Sequence, residues 1–206
     1  MTIAWNDDPP GSLALIASNV ARLSRTLAAQ AAARQRPSSH MAQAWHREIH
    51  AGVPLPVPCY AGEIRDSDLR FPELMGYEVV VGGSPGVPSA QIPVALDAFE
   101  RAMIQVTGRL DAAVPAGAPP PTTARLQAVI RFAAFAHGEW VRIHPFANGN
   151  GRTARCWANF IALRYGLPAF VSIKPRPADL LYAAAARASM AGDHRPTEIL
   201  FHSMLP

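Results

Sequence analysis

"HPFANGNGRTAR", residues His144 to Arg155, is the stretch on which the reading of this chain turns. A histidine, a loop of asparagines and glycines, and two arginines three apart follow one another without interruption. Pro145 disfavours helical geometry in the residue before it, so His144 marks the end of an incoming helix. A new helix is expected to start near Gly151. The first N–H groups of a helix have no internal partner and sit at the positive end of its dipole. Gly149 and Gly151 carry no side chain to hold a ligand off that backbone, so the loop reads as a cradle for an anion such as phosphate. Arg152 and Arg155 share one face in the first turn, with Asn159 a turn further on. His144, titrating near neutrality beside a bound polyphosphate, is placed to take a proton from an incoming nucleophile. The chemistry these residues suggest is phosphoryl or nucleotidyl transfer to a hydroxyl. Each element also has a plain structural counterpart: a satisfied core histidine, an ordinary Gly-Asn-Gly turn, a solvated arginine face. The bare residues leave both readings open, and their adjacency in this order is what favours chemistry.

Working outward, the apolar stripe Leu126, Val129, Ile130, Ala133, His137 and Trp140 repeats at helical spacing and runs directly into His144. Thr122 or Thr123 caps that helix. Beyond the loop, the helix from Gly151 is expected to reach Tyr165, where Gly166 and Pro168 stop it. Upstream, Ser12 is expected to cap a first helix carrying Leu13, Ile16, Val20, Leu23 and Leu27, which fades near Arg36 and Pro37. A shorter helix from Ser39 to Gly52 places Met41, Trp45 and Ile49 on one face. "VPLPVPCYAGEIR" is too rich in proline for a helix. Tyr77 to Val81, followed by Gly-Gly-Ser-Pro-Gly, is the one convincing strand signal, and it predicts a hairpin over 77–92. Two strands alone are marginal in water, so the hairpin must lie on the helices with a free edge. Pro93 opens a helix with Leu96, Phe99, Met103, Val106 and Leu110 on one side, and two more helices are expected at 177–191 and 196–205. The expected fold class is mainly α, a helical bundle with one β-hairpin.

Composition bounds the function. The chain has 206 residues, of which 50% are hydrophobic and 17% charged, which suits a globular protein with a real core. Its 20 prolines gather in connectors, and no internal repeat is present. A net charge of +4 favours anionic partners without choosing among them. The bases form no run with interleaved aromatics, so no nucleic-acid partner is expected. Two cysteines, Cys59 and Cys156, are too few for a disulfide framework and lack metal-ligand spacing. No apolar run approaches the ~20 residues that span a bilayer, and the start of the chain, with its acidic pair, shows no secretion signal. The expectation is a cytoplasmic protein with no membrane partner; delivery as an effector would leave no visible mark.

"HPFANGNGRTAR" also resembles the signature of the Fic family, HPF-x-acid-GNGR-x-x-R, and matches every fixed position except the acid, where Asn148 stands. "AGEIR" at 61–65 resembles the family's Gly-x-x-Arg element, the 77–92 hairpin its flap, and "DLLYAAAARASMAGD" its tyrosine-containing helix. The resemblance covers roughly residues 40–205, which suggests a helical extension over 1–37 and a Fic-like domain over 38–206. It implies a Fic-type bundle whose typical reaction moves AMP from ATP to a Ser, Thr or Tyr hydroxyl of a target protein. His144 would then be the general base and Phe146 a core anchor. Gly149, Asn150 and Gly151 would form the anion hole, and Arg152 and Arg155 would bind the outer phosphates. The flap, with Tyr77, Val79 and Val81, would hold the target by strand addition, and Tyr77 is a candidate wall for the nucleotide base. The family acid holds Mg²⁺ against the phosphates. An amide oxygen at 148 brings no charge, so Asn148 would be at best a weak metal ligand. The loss of one charged contact, on the order of 1.5–3 kcal/mol, slows such an enzyme about ten- to a hundredfold. His144 and both arginines remain, which favours retained activity. A different donor (another nucleotide or phosphocholine) and a non-catalytic nucleotide- or peptide-binding module are the alternatives. No segment matches the family's inhibitory [S/T]-x-x-x-E-[G/N] pattern, so a separate antitoxin-like inhibitor is a possible partner.

Overall fold

The structure is a computed structural model that describes residues 3–205. Seven helices make up most of it: α1 (Leu13–Ala32), α2 (Ser39–Ile49), α3 (Ile92–Asp111), α4 (Thr123–Ile143), α5 (Asn150–Arg164), α6 (Leu180–Met190) and α7 (Arg195–Met204). One antiparallel hairpin pairs β1 (Val80–Val81) with β2 (Ser84–Pro85). The mainly α expectation therefore holds.

α5 is the axis of the bundle. All but two of its residues are buried, including Trp157 and Phe160 at 0% exposure. Trp45 of α2 stands edge-on to Trp157 at 4.7 Å, and Trp140 of α4 and Phe99 of α3 close around the same ring. Ring pairs at this spacing add about 0.5–1.5 kcal/mol beyond the area they bury. The apolar stripe of α1 (Ile16, Val20, Leu23 and Leu27) belongs to this same core, so the segment expected as an extension packs as an integral layer. A second, smaller cluster gathers Trp5, Val57, Tyr60, Leu74, Tyr77 and Ala147 under the irregular 53–77 segment.

Local chemistry explains most boundaries. Thr122 caps α4 by accepting from Arg125 N–H at 3.2 Å. Ser12 does not cap α1, because its hydroxyl donates to Pro9 O instead, at 2.6 Å. α6 begins at Leu180, three residues later than expected, where Asp179 accepts from Leu181 N–H at 2.7 Å. The hairpin is much shorter than the sequence suggests. Gly82 and Gly83 adopt φ of 56° and 84°, the two positive values that a tight I′ turn needs. The ladder has two pairs, and one further bond, from Gly86 N–H to Val79 O at 3.0 Å, carries the pairing just beyond Pro85.

Candidate active site

Two helix ends meet at the site. α4 finishes at Ile143, and His144 takes the left-handed conformation (φ 55°, ψ 56°). Such a backbone in a non-glycine residue is held only when its surroundings enforce it. Here Pro145 disfavours continuation of the helix, and Arg65 binds the turn from behind. The Arg65 side chain is fully buried and donates to four carbonyls: His144 O at 2.9 Å, Ile143 O at 3.4 Å, Val87 O at 3.2 Å and Tyr77 O. It thus satisfies the orphan carbonyls of α4 and straps the hairpin onto the helix end. Arg65 is the arginine of the "AGEIR" segment.

His144 Nδ1 lies 2.7 Å from Val141 O, so Nδ1 carries the proton and Nε2 keeps a free lone pair. Burial, with a small contribution from the nearby charge of Arg65, lowers its pKa to about 4. The ring is therefore neutral at ordinary pH, as a base must be. It is 8% exposed, and that exposure opens on a cleft of roughly 350 Å³.

The loop that follows is closed by Asn150. Its amide accepts from Phe146 N–H at 2.9 Å and donates to Phe146 O at 2.8 Å. Its side chain is thereby spent as a clasp, so what Asn150 presents to the cleft is its backbone N–H. Phe146 is fully buried and stacked on His46 at 4.0 Å and 15°. Gly149 (φ 74°) precedes α5. An added Cβ there would fall 2.6 Å from His46 Nε2 and 2.9 Å from His50 Cε1, so the turn tolerates no side chain. The N–H groups of Asn150 and Gly151 have no acceptor among the described residues and lie in the cleft wall. With the dipole of α5 behind them they have the arrangement that can seat an anion.

Arg152 and Arg155 both line the cleft and are both 4% exposed. Arg155 is fixed by Ile173 O, which accepts from Nε at 3.1 Å and Nη2 at 2.8 Å, and by Tyr182 Oη, 3.3 Å from Nη1. Arg152 is met by the segment before α1. It lies 3.2 Å from Asp7 Oδ2 and 2.6 Å from Asp8 Oδ1, and it donates to Asp7 O at 3.0 Å. Asp8 also pairs with Lys174. Burial opposes the charge of Asp8, but the hydrogen bond from Lys174 and the charge of Arg152 outweigh it and hold the carboxyl below its ordinary range. The same segment is pinned by Asn148, whose Nδ2 donates to Trp5 O at 2.8 Å, and by Tyr60, whose hydroxyl donates to Ile3 O at 3.0 Å.

The sequence reading missed Asp7, Asp8, Lys174 and Arg176 as cleft residues, along with His46 and His50 beneath the loop. Only the acidity of the pair at 7 and 8 was visible, and it read as an ordinary chain start. Two expected residues lie elsewhere. Tyr77 is buried against Tyr60, with ring centroids 5.7 Å apart, and is no wall of the cleft because Arg65 draws its carbonyl inward. Asn159 spends its amide on Phe170 and Val171, holding the loop after α5. Val79 packs partly buried beside Tyr77, whereas Val81 is 43% exposed and lines the cleft mouth. The hairpin covers His144 closely, since a Cβ on Gly86 would meet the histidine Cβ at 3.0 Å.

The donor set does not fit a protein-held Mg²⁺. Asn148 Oδ1 already accepts from Gly149 N–H at 2.8 Å, and the carboxylates nearby are engaged by Arg152 and Lys174. Among the described residues no three His, Cys, Asp or Glu side chains group as metal ligands.

Comparison with known proteins fits this geometry. The sequence model of the Fic/DOC family matches residues 37–162. The chain belongs to the Fic/DOC family. It is 43% identical over 67 residues to protein adenylyltransferase fic-1 of Caenorhabditis elegans, a match that covers 32% of this chain and 13% of that protein. Protein adenylyltransferase Fic of Nematostella vectensis is 56% identical over 39 residues, covering 19% and 9%. The chain thus spans a small fraction of these relatives. Among solved structures, a fragment of C. elegans Fic-1 superposes with TM-score 0.62 at 22% identity, covering 96% of this chain and 51% of that one. The Bartonella tribocorum effector BepC, solved with bound AMPPNP, gives 0.60 at 18% identity, covering 92% and 87%. At these identities the structural likeness speaks for the fold. No helix among the described residues is long and apolar enough to cross a membrane.

Proposed function

We propose that this chain binds ATP in the cleft and transfers AMP to a hydroxyl side chain of a target protein. One juxtaposition carries the reading: the free Nε2 of a neutral His144 shares a cleft with the unpartnered amides of Asn150 and Gly151 and with the guanidinium groups of Arg152 and Arg155. In the reaction His144 Nε2 takes the proton of the target hydroxyl as its oxygen bonds to the α-phosphorus. The bond from that phosphorus to the bridging oxygen of the β-phosphate breaks, and pyrophosphate leaves. The arginines and the N-terminus of α5 take up the charge on the departing group. The β- and γ-phosphates of ATP displace Asp7 and Asp8 from Arg152 as the nucleotide binds. The target backbone adds to the exposed edge of the hairpin, where Val80 is 66% exposed.

The test is intact-mass analysis of a cell lysate incubated with the chain and isotope-labelled ATP. An AMP-sized addition to a protein, lost in His144→Ala, supports the proposal; identical products from wild type and variant refute it. The engaged amide of Asn148 favours a second reading, a site that takes another donor or binds without transfer. A screen of nucleoside triphosphates and phosphocholine donors by the same mass readout separates these outcomes.

A further inference from the structure

α2 contributes two histidines, His46 and His50, one turn apart and almost completely buried at 0% and 2% exposure. They belong to neither the motif nor the bundle core. Every one of their ring nitrogens has a protein partner, and the partners dictate the tautomers. His46 Nδ1 receives Gly62 N–H at 2.8 Å, so the proton of that ring is on Nε2, which faces Asn148 O at 3.0 Å. His50 Nδ1 faces His46 O at 3.0 Å and carries the proton, so Nε2 is the lone pair that accepts from Arg152 Nη1 at 3.0 Å. With all four nitrogens spent, the pair has no lone pair left for a metal.

We infer that His46 and His50 are positioning residues for the anion seat: His46 fixes the Asn148 carbonyl and with it the turn that aims the amides, and His50 orients Arg152 without cancelling its charge. This inference rests on the reading of the cleft as a polyphosphate site. The chemical logic lies in what stands behind the guanidinium. A carboxylate there would hold Arg152 equally well but would neutralise it toward the ligand. A neutral imidazole acceptor fixes its direction and adds no negative charge beyond that of Asp7 and Asp8, which a ligand must displace. His46 works on the other half of the seat, with its face on Phe146 and its Nε2 where a Cβ of residue 149 would otherwise project. Burial, joined for both rings by the positive charge of Arg152, keeps them neutral, in agreement with the partners they face.

Two measurements on the full chain test this. The first is titration calorimetry with ATP and with inorganic tripolyphosphate on His50→Gln, His50→Leu and His50→Glu, each checked for folding by circular dichroism. Glutamine keeps a neutral acceptor and should stay within about threefold of wild type, while leucine loses about tenfold, one neutral hydrogen bond's worth. Glutamate should lose more than leucine while still folding. Equal affinities across the three variants overturn the inference while leaving the site reading intact. A wild-type chain that binds neither probe overturns both. The second measurement needs no variant: nitrogen-detected NMR of the wild-type imidazoles. It should find His46 as the Nε2–H form and His50 as the Nδ1–H form, with both titrating well below the free-histidine value. The opposite tautomer in either ring, or titration near the free-histidine value, overturns it.

Discussion

Asp7→Asn combined with Asp8→Asn perturbs the cleft at the point where protein and ligand compete for the same cation. In the free chain both carboxylates lie on Arg152, and Asp8 also reaches Lys174. Any polyphosphate must displace them. Arg152 is nearly sealed, but the Asp7 and Asp8 side chains are 24% and 44% exposed, so their attraction is partly screened by water. Partly exposed pairs contribute about 0.2–1 kcal/mol each, and the close contact of Asp8, shared between two cations, lies at the upper end, which gives about 1–2 kcal/mol in all. Removing that competition should tighten ATP and tripolyphosphate binding by about five- to thirtyfold. The same change leaves a buried arginine without its counter-ions, so the free variant should melt lower by a few degrees, about 2–4 °C per kcal/mol at this chain length. Saturating ligand should recover the loss, because binding to the folded state alone stabilises it. Calorimetric titration and thermal melts read both effects, with Asp97→Asn, which removes a partner of Arg101 far from the cleft, as the control. Unchanged or weaker binding in the double variant would refute the idea that the segment before α1 holds the anion site, and would mean that the carboxylates assist the ligand.

Other outcomes follow from particular contacts. Arg65→Met should lower stability by about 3 kcal/mol, since four carbonyls lose their donor; a melt within 2 °C of wild type, measured by calorimetry, would contradict its role as a strut. Asn148→Asp removes the donor to Trp5 O and places a charge at the loop, so ATP-dependent labelling should gain about tenfold in added Mg²⁺; labelling insensitive to the change would show that the oxygen at 148 does not face the phosphates. Transfer should be flat from about pH 7 down to pH 5.5 and fall as pH drops through the His144 value of about 4, because only the neutral ring accepts a proton; a rate that declines near pH 6.5 would mean an unburied base. Stability has the same sign. His50 and His137, with values lowered to about 4 and about 3, bind fewer protons folded than unfolded below about pH 6.5, so the melting temperature should fall as pH drops from there toward 4.

How much of this was legible depends on how local each feature is. The helices around the site were readable because their apolar stripes repeat over three turns or more, and α4 could be followed residue by residue into His144. The loop was readable because glycine spacing and a proline constrain backbone directly. The hairpin was overestimated for a reason also local: the β-forming run over 77–81 gave no sign that Arg65, twelve residues earlier, would pull the Tyr77 carbonyl into the core. The unread part of the site is unread because it depends on chain crossings. Asp7 reaches Arg152 across 145 residues and His50 reaches it across 102. Nothing in the periodicity of either segment encodes that meeting. Yet these distant residues decide how the motif is used. The motif supplies a base and two cations, and the remote residues set the state in which the cations wait: oriented by an uncharged imidazole, occupied by two carboxylates. A Fic motif of identical sequence on a chain lacking Asp7, Asp8 and His50 would have the same groups but would meet its ligand with a freer, less directed arginine. On the proposed reading, the affinity of this cleft for polyphosphate is therefore set jointly by the motif and by residues outside it.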